Sequence, residues 1–92
     1  MQIKWLQKAL RNVQQVHDYV ARDNPMAAVR VVLKIQAAVA QLADSPYIGR
    51  PGRVEGTREL VVLQTPYIVI YRVTTATVIV IRVLHSSRKY PP

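Results

Sequence analysis

Tyr67-Ile68-Val69-Ile70-Tyr71-Arg72-Val73 and Thr77-Val78-Ile79-Val80-Ile81-Arg82-Val83-Leu84 decide the fold of this chain. Both runs are rich in Val, Ile and Tyr, and Thr74-Thr75-Ala76 between them is short enough for a hairpin. A third run, Arg58 to Leu63, precedes them across Gln64-Thr65-Pro66, so a twisted antiparallel sheet is expected. Ile68, Ile70 and Arg72 should share one face, and Tyr67, Val69, Tyr71 and Val73 the other. In the next run Val78, Val80, Arg82 and Leu84 should alternate with Ile79, Ile81 and Val83. Both faces are then largely apolar, which requires cover on both sides, by helices on one and by something else on the other.

Upstream of this block the hydrophobic period lengthens to that of a helix. After a short strand over Gln2 to Leu6, the apolar positions Leu6, Leu10, Val13, Val16 and Val20 make one stripe, with Lys8, Arg11, Gln15, Asp18 and Arg22 facing outward. Asp23-Asn24-Pro25 stops this helix and starts another, because Asn24 can cap it and Pro25 suits its first turn. From Met26 to Leu42 the apolar residues cover most of the circumference, leaving Arg30 and Lys34 as a charged ridge, so the second helix should be sandwiched between the first and the sheet. Leu6, Leu10, Val13 and Val20 with Ile35 and Val39 are the expected hairpin core. Asp44-Ser45-Pro46 ends the helix, and Gly49-Arg50-Pro51-Gly52-Arg53 reads as an ordered turn-rich loop. The expected class is α+β in the order β-α-α-β-β-β, an N-terminal helical hairpin on a sheet of three to four strands, in one domain over residues 1–92.

Ninety-two residues suit one such domain, with roughly 60 to 68% of the unfolded surface buried. Zero cysteines exclude a disulfide scaffold, a Cys-ligated metal site and a thiol nucleophile. No stretch has the ~18 consecutive apolar residues of a membrane helix, and Gln2, Lys4, Gln7 and Lys8 stand where a secretory signal needs an apolar block, so a cytoplasmic protein is expected. Thirteen Lys and Arg against five Asp and Glu give +8, and nine of the cations are Arg, suited to bidentate contacts with phosphate or carboxylate. A polyanionic or acidic partner follows.

The chain lacks a P-loop, a dinucleotide fingerprint and a metal-spaced His pair, so neither cofactor nor metal is expected. Of the five carboxylates, Glu59 stands out, inside a strand beside Arg58; a cross-strand pairing with Arg72 or Arg82 is its expected role. Arg72 and Arg82, in otherwise apolar runs, either neutralise Glu59 and reach water or form a binding site. His85-Ser86-Ser87-Arg88-Lys89-Tyr90 gathers an imidazole, two hydroxyls, two cations and a phenol after the last strand. A histidine there could serve as general acid or base on a phosphodiester, with arginine stabilising the charge on phosphorus.

Trp5 before the first helix, Pro25 opening the second, Ser45-Pro46-Tyr47 with Gly49-Arg50-Pro51-Gly52, Gly56-Thr57-Arg58-Glu59-Leu60-Val61-Val62, the Pro66 to Val73 run, and Val83-Leu84-His85 with Arg88 together resemble the RelE/ParE superfamily of bacterial type II toxin–antitoxin toxins. The resemblance implies a small toxin held inactive by a cognate acidic antitoxin of the ParD kind in a hetero-oligomeric complex. It also implies one of two targets. RelE-like members are ribosome-dependent mRNA endonucleases and ParE-like members poison DNA gyrase. The RelE-like set has two lysines, two apart, on the strand before the first hairpin, an arginine after the tyrosine opening the next strand, and a basic pair after the last. The matching positions here are Glu59, Val61, Ile68 and His85-Ser86, which favours the ParE-like branch and no catalytic residue.

The expected target-binding residues are Arg58, Arg72, Arg82, His85 and Arg88. Those expected to meet the antitoxin are Trp5, Leu6, Leu10, Val13, Arg72 and Arg82. The alternative, an mRNA endonuclease acting on the ribosome, would use His85 with Arg72, Arg82, Arg88 and Tyr90. A plain basic nucleic-acid-binding module would account for the charge alone and predicts direct, salt-sensitive affinity for DNA or RNA.

Overall fold

Asn24 and Pro25 divide the helical half as their chemistry requires. The Asn24 side chain accepts a hydrogen bond from the Ala27 N–H at 3.1 Å, and Pro25 sits in the first turn, where its missing N–H leaves nothing unpaired. The computed structural model describes residues 1–91 and runs β1 (Gln2–Trp5), α1 (Gln7–Ala21), α2 (Pro25–Gln41), β2 (Arg50–Pro51), β3 (Arg58–Val61), β4 (Tyr67–Val73) and β5 (Thr77–His85). The sheet order is β1-β5-β4-β3-β2. Strands β2 to β5 form an antiparallel meander, while β1 lies parallel to β5 with Trp5 opposite Val80.

The α+β class and the helical hairpin on a sheet are as expected, with two corrections to the sheet. It has five strands rather than three or four, because Arg50–Pro51 adds a two-residue edge too short to leave a periodic signal. It is also mixed, since β5, reached after both helices and the strands β2 to β4, lies parallel to β1.

The helix-side core joins Ala9 and Val16 of α1 and Ile35, Val39 and Leu42 of the α2 region to Val69, Tyr71, Val78, Val80 and Val83 of the sheet. Here the expected stripe on α1 is corrected. Val16 of the stripe faces inward and Val13 and Val20 are partly buried against the core, but Leu6 and Leu10 are 36% and 53% exposed, and Ala9 and Asn12 face inward in their place. A methyl at position 9 lets the helix approach the sheet more closely than a leucine would. Nor is α2 sandwiched: Met26, Val29 and Leu33 lie exposed along its outer side, beside the exposed Arg30 and Lys34.

The alternation expected for β5 also breaks. Ile70 pairs with Arg82 but Tyr71 pairs with Val80, so Ile81 is an extra residue in a β-bulge. Val80 and Val83, three apart, therefore both face the helices, while Ile81 and Leu84 pack on the opposite side with Ile68, Ile70 and Tyr90. From the segment after β5, Tyr90 packs on that second face.

Tyr71 fastens the loop after α2 to the sheet. Its buried hydroxyl donates to the Pro46 carbonyl at 2.7 Å and accepts from the Gly49 N–H at 2.9 Å. A Cβ at Gly49 would stand 2.6 Å from that hydroxyl and 2.9 Å from the Glu59 carbonyl oxygen, so only glycine fits. This closure fixes where Arg50 and Arg53 begin, and hence the charge pattern below.

Candidate functional site

Glu59 is 3% exposed and its partners come from the β2 loop. The Arg50 Nη2 donates to Oε1 at 3.2 Å, and the Arg53 backbone N–H and Nε reach Oε2 at 3.0 and 3.3 Å. The expected pairing with Arg72 or Arg82 is thus corrected: the turn around Gly52 folds two arginines back over β3, nearer than any cross-strand arginine. Burial alone would push the Glu59 carboxyl up, but the Arg53 N–H and the Arg50 guanidinium outweigh it and hold the group below its ordinary value. Arg53 also donates through Nη1 to the Arg88 carbonyl at 3.3 Å, linking this knot to the segment after β5.

Arg82 has a different anchor. Asn12, a polar residue on the inner face of α1, accepts through Oδ1 from the Arg82 Nε at 2.9 Å and from the Val83 N–H at 3.1 Å. Val83 lies beyond the last residue paired with β1, so the Asn12 amide takes the place of the missing strand. The Arg82 guanidinium then stands 5.9 Å from the centre of the Tyr90 ring, within cation–π range. Arg58 is held by the Gly49 carbonyl at 2.7 Å and lies 5.0 Å from the centre of the Tyr47 ring. Arg72 is exposed and makes no hydrogen bond or ion pair among the described residues.

The sequence-expected residues do not gather at one point. Arg82 and Tyr90 meet, and His85 and Arg88 lie close in the turn after β5, where the Arg88 N–H donates to the His85 carbonyl at 2.9 Å. Arg72 is opposite Ile79 and His85 opposite Tyr67, so the two are separated by about five residues of β4, roughly 17 Å. Arg58 belongs to a separate corner with Tyr47.

His85 is fixed from two sides. Its Nδ1 accepts the Ser87 N–H at 3.1 Å and lies 2.7 Å from the Ser87 hydroxyl, and its ring meets Tyr67 edge-on at 5.6 Å. A backbone N–H can only donate, so in the neutral ring Nε2 carries the proton. His85, Tyr67 and Arg88 line a cleft of about 430 Å³ with Tyr19 and Gln15 of α1. Burial, and secondarily the nearby Tyr19, push the Tyr67 hydroxyl up from its ordinary value.

A larger groove of about 570 Å³ opens between β1 and the two helices, lined by Trp5, Leu10, Val13 and His17 with Val32 and Val39. Three of the residues expected to meet an antitoxin, Trp5, Leu10 and Val13, therefore share one apolar surface, and Leu6 is exposed nearby in sequence. Asn12, Arg50, Arg53 and Tyr67 escaped the sequence reading as site residues. Only Asn12 left a signal, as a polar residue three after Ala9 and four before Val16 on what is an inward helical face.

Comparison with known proteins agrees with this architecture. Residues 3–90 match the family described as ParE toxin of type II toxin–antitoxin system, parDE. A Sinorhizobium fredii protein named as toxin Y4kP is 43% identical over 89 residues, spanning 97% of this chain and 92% of that one. Toxin RelE2 of Caulobacter vibrioides is 34% identical over 87 residues, covering 95% of this chain and 97% of that one. Among solved structures, the chromosomal ParDE system of P. aeruginosa superimposes with a TM-score of 0.82 at 28% identity, over 92% of this chain and 95% of that one. The RelBE2 toxin–antitoxin complex of Mycobacterium tuberculosis shares the fold, with a TM-score of 0.63 at 22% identity over 91% and 95% of the two chains. This chain belongs to the ParE family of toxins of type II toxin–antitoxin systems.

Proposed function

We propose that this chain inhibits DNA gyrase in the cytoplasm, without cleaving nucleic acid itself, and is neutralised by direct binding of a cognate acidic antitoxin. The observation that carries the reading is the state of Glu59. Where the RelE-like nucleases hold lysines, this chain has a buried carboxylate that already occupies Arg50 and Arg53, followed by the apolar Val61. Where they hold an arginine it has Ile68, sealed in the second core cluster. A phosphodiester transition state gathers negative charge, and here the two guanidinium groups nearest that position are already engaged by Glu59, with no lysine on the strand to meet it. The arrangement supports gripping a target over cutting one.

The antitoxin is an acidic, partly disordered chain that folds on binding. Its apolar side chains enter the groove of Trp5, Leu10 and Val13, with Leu6 at the rim, and its carboxylates meet Arg72 and Arg82. Kinship with the P. aeruginosa ParDE system supports such a partner. On the target, Arg58, Arg72, Arg82, His85 and Arg88 supply the contacts. A gyrase supercoiling assay tests this reading. Purified toxin should block supercoiling and the antitoxin should restore it; full supercoiling at saturating toxin refutes the proposal.

One observation favours a second reading. His85 has its Nδ1 engaged and its Nε2 without a partner among the described residues, as a general acid or base requires. In that reading the chain cuts mRNA on the ribosome through His85, with Arg72, Arg82, Arg88 and Tyr90 around the phosphate. Mapping of mRNA ends on stalled ribosomes decides it: cuts that vanish in His85→Ala support the nuclease, and intact mRNA removes it.

A further inference from the structure

The cleft between the C-terminal half of α1 and the His85 end of the sheet joins His85 and Arg88, which both readings use, to Gln15, Tyr19 and Tyr67, which neither uses. Tyr19 projects from α1 with 66% of its surface exposed. Across the cleft stands the exposed ring of His85, held in one orientation by Ser87 and by the edge-on Tyr67.

Tyr67 forms the floor. Its side chain is 6% exposed, yet its hydroxyl makes no hydrogen bond among the described residues. No buried side-chain oxygen or nitrogen among them lacks a partner, so this hydroxyl is at the accessible surface, and the surface beside Tyr67 is the cleft. The hydroxyl is therefore available to a group that enters the cleft.

The polar rim is equally one-sided. Asn12 Nδ2 donates to Gln15 Oε1 at 3.4 Å, and the Gln15 Nε2 has no acceptor among the described residues. The backbone of Arg88 is pinned twice, its N–H by the His85 carbonyl and its own carbonyl by Arg53, so the root of its guanidinium is fixed at the mouth. No carboxylate side chain lines the cleft. Beside aliphatic walls from Val16, Val20, Val31, Pro66, Val83 and Leu84, the flat rings, the hydroxyl and amide donors and one anchored guanidinium are complementary to a planar base carrying a phosphate.

We infer that this cleft is a nucleotide-binding site, taking one unpaired base of a single-stranded nucleic acid against Tyr19 and His85 with its phosphate on Arg88. Tyr67 and Gln15 then supply donors to the edge of the base. A volume of about 430 Å³ suits a single nucleotide and not a duplex. Base-paired DNA keeps its rings stacked inside the helix, so the site distinguishes strand ends, gaps and loops from intact double helix. The inference goes beyond the choice between gyrase and ribosome and does not depend on it, because it concerns binding by the chain alone.

Titration of the purified full chain followed by amide NMR tests the site. The probes are thymidine 5′-monophosphate, a five-residue oligothymidylate, inorganic phosphate and a blunt DNA duplex. The expected result is saturable binding of the oligonucleotide and, more weakly, of the mononucleotide, with shifts centred on Gln15, Tyr19, His85 and Arg88. Tyr19→Ala, at an exposed position that leaves the core intact, should weaken oligonucleotide binding about tenfold. Arg88→Gln should weaken it and reduce the slope of affinity against salt by about one phosphate contact.

Phosphate binding as well as the nucleotide, with Tyr19→Ala unaffected, overturns the proposal in favour of plain charge attraction. A preference for the duplex, shifts confined to the Trp5 groove, or no saturable binding overturns it too. Because none of these readouts involves gyrase, a failed supercoiling assay leaves the test of the cleft unaltered.

Discussion

On the helix side of the sheet Ile35, Val39, Leu42, Tyr71 and Val80 are sealed from water, whereas on the opposite side the sealed apolar residues among those described are Ile68, Ile70 and Leu84, packed with Ile81 and Tyr90. The first face is held by apolar burial, which is non-directional and insensitive to pH. The second has a small apolar patch ringed by charge: Glu59 between Arg50 and Arg53, and Arg82 beside Tyr90. Stability is concentrated where the helices lie, and the charged face keeps its guanidinium groups near the surface by spending one buried carboxylate on two of them. The contrast predicts that substitutions on the two faces differ in size and in their response to pH.

The largest effect belongs to Tyr71→Ala, which empties the centre of the helix-side core and releases the Pro46 and Gly49 hydrogen bonds. A loss of about 3–5 kcal/mol is expected in urea unfolding, the same at pH 5 and pH 7. A loss below about 1 kcal/mol would show that this face is not the stabilising one.

Glu59→Gln comes next. The carboxylate is buried but both guanidinium groups are partly exposed, so the loss at pH 7 is set at about 1–2 kcal/mol, below that of a fully enclosed pair. The sign of its pH dependence follows from the lowered folded-state pKa. The stabilisation is complete above the ordinary value of 4.5 and disappears as pH falls through the lower folded value. The gap between wild type and Glu59→Gln should therefore be flat from pH 7 to 5 and close below about pH 4.5. A gap that widens in acid contradicts the assignment.

Tyr90→Ala removes a half-buried ring from the second cluster and the surface opposite Arg82. About 0.5–1 kcal/mol is expected from thermal unfolding, and more than about 2 kcal/mol would make the tail a structural element of the first rank. The smallest change in stability is expected for Leu10→Ser, within about 0.5 kcal/mol, because Leu10 is half exposed. The same variant should weaken antitoxin binding at least tenfold in calorimetry; unchanged affinity would take the groove out of the interface.

The strands, the helix break at Asn24-Pro25 and the segregation of helices from sheet were legible because each depends on local period or on one capping residue. What was hidden depended on distance in the fold. Leu10 outranks Ala9 in hydrophobicity, yet the helix approaches the sheet through the alanine, a choice made by the spacing of the two layers. Ile81 looks like its neighbours, and the bulge that displaces it appears only when β5 is set against β4. Glu59 was recognisable as a strand carboxylate in need of cations, but its partners come through a turn whose shape depends on Tyr71 and Gly49. Asn12 could have been noticed as a polar residue at core spacing; its partners Arg82 and Val83 are some seventy residues away.

The most direct test of the gripping account is covalent trapping of gyrase on DNA. Gyrase and supercoiled plasmid are incubated with the purified chain, denatured, and scored for cleaved DNA, in parallel with His85→Ala and with mRNA on stalled ribosomes. The account predicts that cleaved plasmid accumulates with the wild-type chain, that His85→Ala, which loses one target contact, accumulates it more weakly, and that the mRNA stays intact with both. Uncleaved plasmid together with mRNA cuts that disappear in His85→Ala would contradict it and assign the chain to the nucleases.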